Sequence, residues 1–451
     1  MSPEREQTST SALAELRERL ASGGLLRARR TLHALNPGEI ADLLESLPPR
    51  ERNIVWEMVS AEDDGEVLLH LADDVRDGLM RQMDTAELVA AAEELEIDDL
   101  ADFIEHLPET VTQQVLKALD ADDRARLEKV LAHEPDTAGG LMNTDTVTVR
   151  PDVTLDVVQR YLRLRGELPA HTDALFVVDR YGSYLGALPL DKILTRAPDA
   201  LVSSIMARDL NAIPATMPEE EVARRFENAD LVSAPVISDK GVLIGRITID
   251  DVVDIIRAEA EHNLMAMAGL NEEEDLFAPV RTAARRRALW LGINLFTACI
   301  AARVVGLFEA TISQFVALAV LMPIVASMGG ITANQIVALM VRGLALGQVG
   351  GSNTTVLFRK ELAVALINGV LWGLTIALIT LLWFDNLLLS LVIGSALLLN
   401  LGFAAAAGVL VPVLLRRFGL DPALAGSVVV TTFTDVMGFF LFLGLGTLIL
   451  L

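Results

Sequence analysis

One cysteine, Cys299, in 451 residues excludes a disulfide framework and a cysteine zinc site. The six histidines all precede residue 263 and contain no HExxH pair. There is no Walker A phosphate loop and no convincing nucleophile–base set, so no enzyme activity is expected. Positive charge is also short: 37 Lys and Arg face 61 Asp and Glu, a net charge of -24. Such acidity repels nucleic acid, because phosphate binding needs clustered Lys and Arg. The opening MSPEREQTSTSALAELRERL has no apolar core of the signal-peptide kind. A cytoplasmic N-terminal part is expected.

Charge of either sign then almost vanishes from the last third. Residues 281–451 hold ten basic and five acidic side chains, whereas residues 1–280 carry a net charge of -29. An acidic, water-soluble part thus precedes an apolar one, and the length alone calls for several domains. Five runs, 288–307, 315–341, 362–384, 387–415 and 424–451, are apolar enough and long enough to cross a bilayer. They lack the polar face that a helix needs against water. Arg281, Arg285, Arg286 and Arg287 precede the first run. Arg342, Arg359 and Lys360 fall between the second and third, and Arg416 and Arg417 between the fourth and fifth. The opposite connections carry Glu309 and Asp385, with Arg303 near the outer edge. Basic clusters stay cytoplasmic, which predicts the N-terminus inside and the C-terminus outside.

Polar groups in lipid are costly and face a cavity or a partner. Asp435, in VTTFTDVMGF, is the one acid deep within an expected span. Thr431, Thr432 and Thr434 surround it. It reads as a cation-pathway carboxylate, against a neutral acid bonded to a neighbouring helix. The second span holds LMPIVASMGGITANQ. Pro323, Gly329 and Gly330 can free backbone carbonyls, and Thr332, Asn334 and Gln335 add side-chain oxygens. Oxygen ligands and water suit a hard, hydrated cation. Close helix packing through small residues explains the glycines equally well.

Residues 1–135 read as helices. IADLLESLPP from Ile40 recurs sixty residues on as LADFIEHLPE from Leu100, which predicts stacked hairpins, an α-solenoid-like module. From residue 141 short β-like runs appear, TDTVTV, DALFVVD, NAIPA, SAPVIS and VLIGRITI, alternating with helical runs. They form two imperfect copies, in which Gly182 and Gly186 match Gly241 and Gly245 in spacing. The copies resemble a tandem pair of cystathionine-β-synthase (CBS) domains, an α/β module that commonly senses adenine nucleotides or ions. That resemblance puts Thr248 and Asp251 of GRITIDD where such domains hold a ribose, with ATP or another adenine nucleotide as the ligand. The first copy has Pro189 and Lys192 there. A helix, VVDIIRAEAEHNLMAMAGL, and the acidic NEEED then lead to the first span.

An acidic helical domain (1–138), a CBS pair (139–256), a connecting helix and linker (257–280) and five spans (281–451) together resemble the MgtE family of magnesium channels. EPDTAGGLM at 134–142, the second CBS copy, FEATISQFVALAVLMPIVASMGG at 308–330 and DPALAGSVVVTTFTDVMG at 421–438 carry the resemblance. It implies a homodimer in the cytoplasmic membrane with a pore along the second and fifth spans. Asp435 would hold hydrated Mg2+ there. Connecting helices would plug the pore when cytosolic Mg2+ binds. The matching sensing acids are Asp98, Asp102, Glu220, Asp230, Asp251, Asp254 and Glu259. The sequence departs from the family pattern in four places. His262 and Asn263 replace a Glu-Asp pair, Pro218 stands where an acid can occur, and Ile331 replaces an Asn. Ser427 and Val428 replace an Asn-Pro or Gly-Pro pair. The expected function is passive Mg2+ influx closed by cytosolic Mg2+. A broader divalent-cation or proton-coupled transporter and a membrane-anchored nucleotide sensor are the alternatives.

Overall fold

A computed structural model describes residues 29, 32–208, 212–270, 275–350 and 353–451, with backbone only at 424, 425 and 427. The expected helical stretch before residue 29, most of NEEED and the side chain of Ser427 lie outside the described residues. The chain divides into two compact units. The first comprises residues up to Glu259 together with Glu273–Ala278, and the second Ala260–Glu272 with Pro279–Leu451.

The first unit opens, among the described elements, with short helices α1 (Pro37–Glu45), α2 (Pro49–Trp56), α3 (Asp64–Leu69), α4 (Asp73–Met80), α5 (Thr85–Glu93), α6 (Ile97–Glu105), α7 (Glu109–Ala118) and α8 (Ala121–Val130). Asn36 with Glu39 and Asp84 with Glu87 form capping boxes that start α1 and α5. The repeated LPP and LPE phrases follow α1 and α6 and start the next helix: Pro49 is the first residue of α2, where its missing N–H costs nothing, and Pro108 is the N-cap of α7. Helices α1, α3, α5 and α7 contact in succession, and α6 contacts α8. This is the stacked-hairpin arrangement that the repeat predicts.

Two three-stranded sheets follow. Strands β1 (Thr148–Val149), β2 (Ala174–Val178) and β3 (Tyr184–Pro189) pair in that order, as do β4 (Ile213–Pro214), β5 (Ser233–Ile237) and β6 (Leu243–Thr248). In each, the first pair is parallel and the second antiparallel, with a register shift at Val177/Val178 and at Val236/Ile237. Helices α9 (Leu155–Arg165), α10 (Leu190–Thr195), α11 (Val202–Ile205) and α12 (Glu219–Ala229) complete the copies. Gly182 and Gly241 adopt φ +82° and +75° at equivalent hairpin turns, where glycine carries no steric penalty. The turns bond each other, Tyr184 N–H to Gly241 O and Leu243 N–H to Gly182 O, both at 3.0 Å.

The hydrophobic core is continuous from the helices into the second copy, through Phe103, Val130, Met142, Ile213, Phe226 and Ile247. The first copy has its own core around Leu155, Leu175, Val177 and Leu188. EPDTAGGLM makes the seam. Ala138 and Gly139 donate to Met217 O and Ala215 O, and Asn143 and Arg246 exchange backbone bonds. A Cβ on Gly140 would stand 2.4 Å from Pro135 O, so only glycine fits.

Helix α13 runs Ile249–Ala268. The second unit adds α14 (Val280–Gly306), the short α15 (Glu309–Gln314), α16 (Val316–Ala345), α17 (Thr354–Phe384), α18 (Leu387–Arg417) and α19 (Pro422–Leu450). Among the described residues five helices are long and apolar enough to cross a membrane. The third begins two turns before the expected 362, so Arg359, Lys360 and Glu361 belong to the helix. α18 is central and contacts α16, α17 and α19. Gly373 and Gly394 let α17 and α18 approach until an added Cβ on either would stand 2.9 Å from the other's carbonyl oxygen.

Candidate functional site

The densest group of carboxylates in the first unit lies where α6 meets the second CBS copy. Asp98 and Asp99 sit in the first turn of α6, and Asp250 and Asp251 in the first turn of α13. A helix N-terminus favours negative charge, which explains acids in pairs at both starts. Asn143, from the seam, donates to Glu96 Oε2 at 2.6 Å and to Asp98 Oδ1 at 3.2 Å. Thr248 N–H and Oγ1 reach Asp251 Oδ2 at 3.1 and 3.2 Å, and Thr248 Oγ1 also bonds Asp250. His171 Nε2 lies 3.3 Å from Asp250 Oδ2.

Among the described residues no Lys or Arg forms an ion pair with these acids, and the pKa values of Asp98, Asp99 and Asp251 rise. Burial, then Asp98 and Asp251, pushes Asp99 up to about 8. Burial, then Asp98, pushes Asp251 to about 8 against its bonds from Thr248. Asp98 rises to about 6 through burial and Glu96. Packed carboxyls in such a place hold protons near neutral pH, or they exchange those protons for a cation. Asp102, whose outer face still meets solvent, is raised as well, by burial first and then by Glu105 and Asp98, with Arg76 opposing. It leads to Glu219, raised by burial and then by Asp136, Glu220 and Glu259.

The structure thus brings Asp98, Asp102 and Asp251 into one acidic stretch, with Glu220 and Glu259 reached through Glu219. Asp230 is the exposed, left-handed C-cap of α12, and Asp254 is exposed on α13. Neither is drawn into the cluster. Asp99, Asp250 and Glu219 belong to it although the sequence reading passed over them. Their signal was adjacency to acids already singled out. Among the described residues no three acidic, histidine or cysteine side chains are grouped tightly enough to hold a metal ion directly.

In the second unit, Asp435 lies mid-way along α19, half-buried. Thr432 and Thr434 bond their own helix, to Val428 O and Thr431 O. Among the described residues no group donates to Asp435. α19 packs along α16. Thr332 and Gln335 of α16 line a cleft of about 500 Å³ with Glu361, Asn368 and Trp372 of α17. The buried Glu361 pairs with Lys360 Nζ at 2.9 Å. The end of α13 packs in the same unit. Ala266, 1% exposed, clusters with Ala333 and Val337 of α16 and Ala423 and Val430 of α19. His262 Nε2 stands 3.2 Å from Asp421 Oδ2, while Asp421 Oδ1 accepts from Ala423 N–H.

Three family models match the chain: "MgtE intracellular N domain" over 35–136, "CBS domain" over 138–199 and 202–258, and "Divalent cation transporter" over 322–445. The "Magnesium transporter MgtE" of Thermus thermophilus is 30% identical over 443 residues, 96% of this chain and 98% of that protein. The chain belongs to the MgtE family. The "Magnesium transporter MgtE" of Bacillus subtilis is 25% identical over 95% of each chain. A crystal structure of the cytosolic domain of the Mg2+ channel MgtE in complex with ATP has 30% identity. It covers 54% of this chain and 99% of that one, with a TM-score of 0.49.

Several departures of this MgtE-family chain have a visible place in the structure. Ile331, where an Asn was expected, is exposed and lines the α16–α17 cleft. Pro218 sits just before α12, exposed, and its backbone pairs as an isolated bridge with Thr137. His262 contacts Asp421 where a carboxylate would meet another carboxylate.

Proposed function

We propose that this chain is a magnesium channel of the cytoplasmic membrane, acting as a homodimer, with Mg2+ entering down its electrochemical gradient. The observation that carries the reading is Asp435: a carboxylate half-way along an apolar helix, packed beside α16, with no protein donor among the described residues. A charge in that setting is held by a cation or water. Membership of a family whose relatives are magnesium transporters supports the choice of ion. A divalent ion gains about 4.6 kcal/mol per 100 mV of inside-negative potential, twice the roughly 2.3 per charge, so uptake needs no ATP-driven motor. The basic clusters support an N-terminus inside and a C-terminus outside. Asp435→Ala should abolish Mg2+ flux into liposomes and Asp435→Asn should lose most of it, with folding intact. Wild-type flux in both variants would refute this role for Asp435.

Regulation follows from the acidic stretch. Asp98, Asp102, Glu220, Asp251 and Glu259 are proposed as its magnesium-binding acids, acting largely through water, with Asp230 and Asp254 as further sensing acids outside the stretch. Raised carboxyl pKa values support this, since a cation removes the repulsion that protons otherwise relieve. Ion binding would hold the 1–138 and 139–256 domains together and press the 257–280 segment toward the pore helices of 281–451. Thr248 and Asp251 are proposed to hold an adenine nucleotide. Their mutual hydrogen bonds fix both side chains at the start of α13. Flux that follows an imposed proton gradient would favour the proton-coupled alternative. The absence of any ion flux would favour the nucleotide sensor.

A further inference from the structure

Asn400 is the one amide inside α18, and it is 0% exposed. Its Nδ2 donates to Val325 O of α16 at 2.9 Å. In a regular helix that carbonyl also accepts from the N–H four residues on, which is Gly329. A Cβ built on Gly329 would stand 2.3 Å from Asn400 Nδ2, and one on Gly438 of α19 would stand 2.9 Å from the same atom. Both are too close for real atoms. The amide therefore occupies a notch whose two walls are glycines, one on α16 and one on α19, the helix that carries Asp435. Gly438 lies three residues past Asp435, about 4.5 Å along the helix axis. Asn400 Oδ1 has no protein partner among the described residues, and a buried acceptor left unpaired costs stability. An apolar side chain would avoid that cost, so packing alone does not explain an asparagine here.

We propose that Asn400 is a positioning residue for cation passage. By bonding α16 and filling the notch between Gly329 and Gly438, it sets the spacing of α16 and α19 and so the place of the Asp435 carboxylate. The inference rests on the channel reading above. It assigns the two glycines a specific task, that of admitting the amide, rather than general helix weakening.

The test uses full-length protein in liposomes, reading Mg2+ flux and the ratio of Mg2+ to Ca2+ flux. Gly329→Ala should cut Mg2+ flux about tenfold, because the added methyl collides with the amide. Asn400→Ala should leave the protein folded but lower the Mg2+ to Ca2+ ratio, a readout that a packing defect would not move. Combining the two should restore most of the Gly329→Ala loss, since the collision is gone. Losses that multiply as independent effects, or an Asn400→Ala protein with wild-type flux and ratio, would overturn the proposal. If the wild type carries no Mg2+, the transport reading fails. The notch is then judged in detergent by melting temperatures: non-additive shifts for the two variants support it and additive shifts overturn it.

Discussion

Raising the pH should loosen the seam between α6 and the second CBS copy, and Mg2+ should restore it. Asp99 and Asp251 are each raised from 3.8 to about 8, and Asp98 to about 6. The folded chain therefore keeps protons that the unfolded chain releases near pH 4. A raised acid contributes stability that is lost as pH climbs from the unfolded value toward the folded one, here from about 4 to about 8. One unit corresponds to about 1.4 kcal/mol, so one carboxyl raised by about four units sets an upper bound on the order of 5 kcal/mol. Ionising one of the three changes the other two, and water still reaches Asp99 and Asp251. We therefore expect about 1–3 kcal/mol of lost protection between about pH 5.5 and about pH 8.

The assay is hydrogen exchange of the α6 amides in full-length protein, with and without Mg2+. Without the ion, protection should fall with rising pH. With saturating Mg2+ the slope should flatten, because the cation replaces the protons and binding releases them. Asp99→Asn, which holds one site neutral, should reduce the slope and weaken the Mg2+ effect. A flat profile without Mg2+, or an unchanged slope in Asp99→Asn, would refute the cluster as the origin.

Three further outcomes are expected. Arg52, 5% exposed, bonds both oxygens of Asp275 at 2.8 and 2.9 Å as well as the carbonyls of Leu44 and Leu47. Arg52→Ala leaves that carboxylate buried and unpaired and should cost about 3–5 kcal/mol of protection around α2, measurable by the same exchange experiment. A cysteine added after Leu451 in a Cys299→Ala background should react with an impermeant thiol reagent on intact cells. Labelling only after permeabilisation would reverse the proposed orientation. His262→Glu with Asn263→Asp should lower the Mg2+ concentration that half-protects the first unit from protease, from the millimolar range of weak oxygen-ligand sites. An unshifted midpoint counts against closure through α13.

Periodicity and repetition made the architecture legible. The LPP and LPE phrases mark where α1 and α6 stop, because proline restricts the residue before it and opens the next helix. The paired glycine spacing made the two sheets visible as copies. β3 was readable mainly by that analogy, since YLGALP alternates poorly. Which acids meet was not legible. Asp98 and Asp251 lie 153 positions apart, and only the threading of residues 138–143 along β4 and β6 brings α6 to the start of α13. Asn400 carried a sequence signal that went unused, a lone amide within a long apolar run. Thr332 and Gln335 followed the composition of a cation path, yet helical geometry turns them toward α17.

His262 and Asn263, in place of the acids that the family resemblance implies, bear on where the proposed ion dependence would reside. Two carboxylates facing each other at α13 and α19 would need a cation between them. With histidine in one place, the ring nitrogen meets Asp421 Oδ2 directly, at 3.2 Å, and Asp421 is further satisfied by Ala423 N–H at the start of α19. Ala266 adds an apolar contact one turn on, against Ala333 and Val430. Contact of the end of α13 with α16 and α19 at this point therefore requires no metal. If cytosolic magnesium closes the channel, its leverage comes from the acids that remain uncompensated, Asp98, Asp99 and Asp251, where burial and mutual repulsion give a cation the most to offset. The ion would then act on the seam of the first unit, where the first turn of α13 holds Asp251.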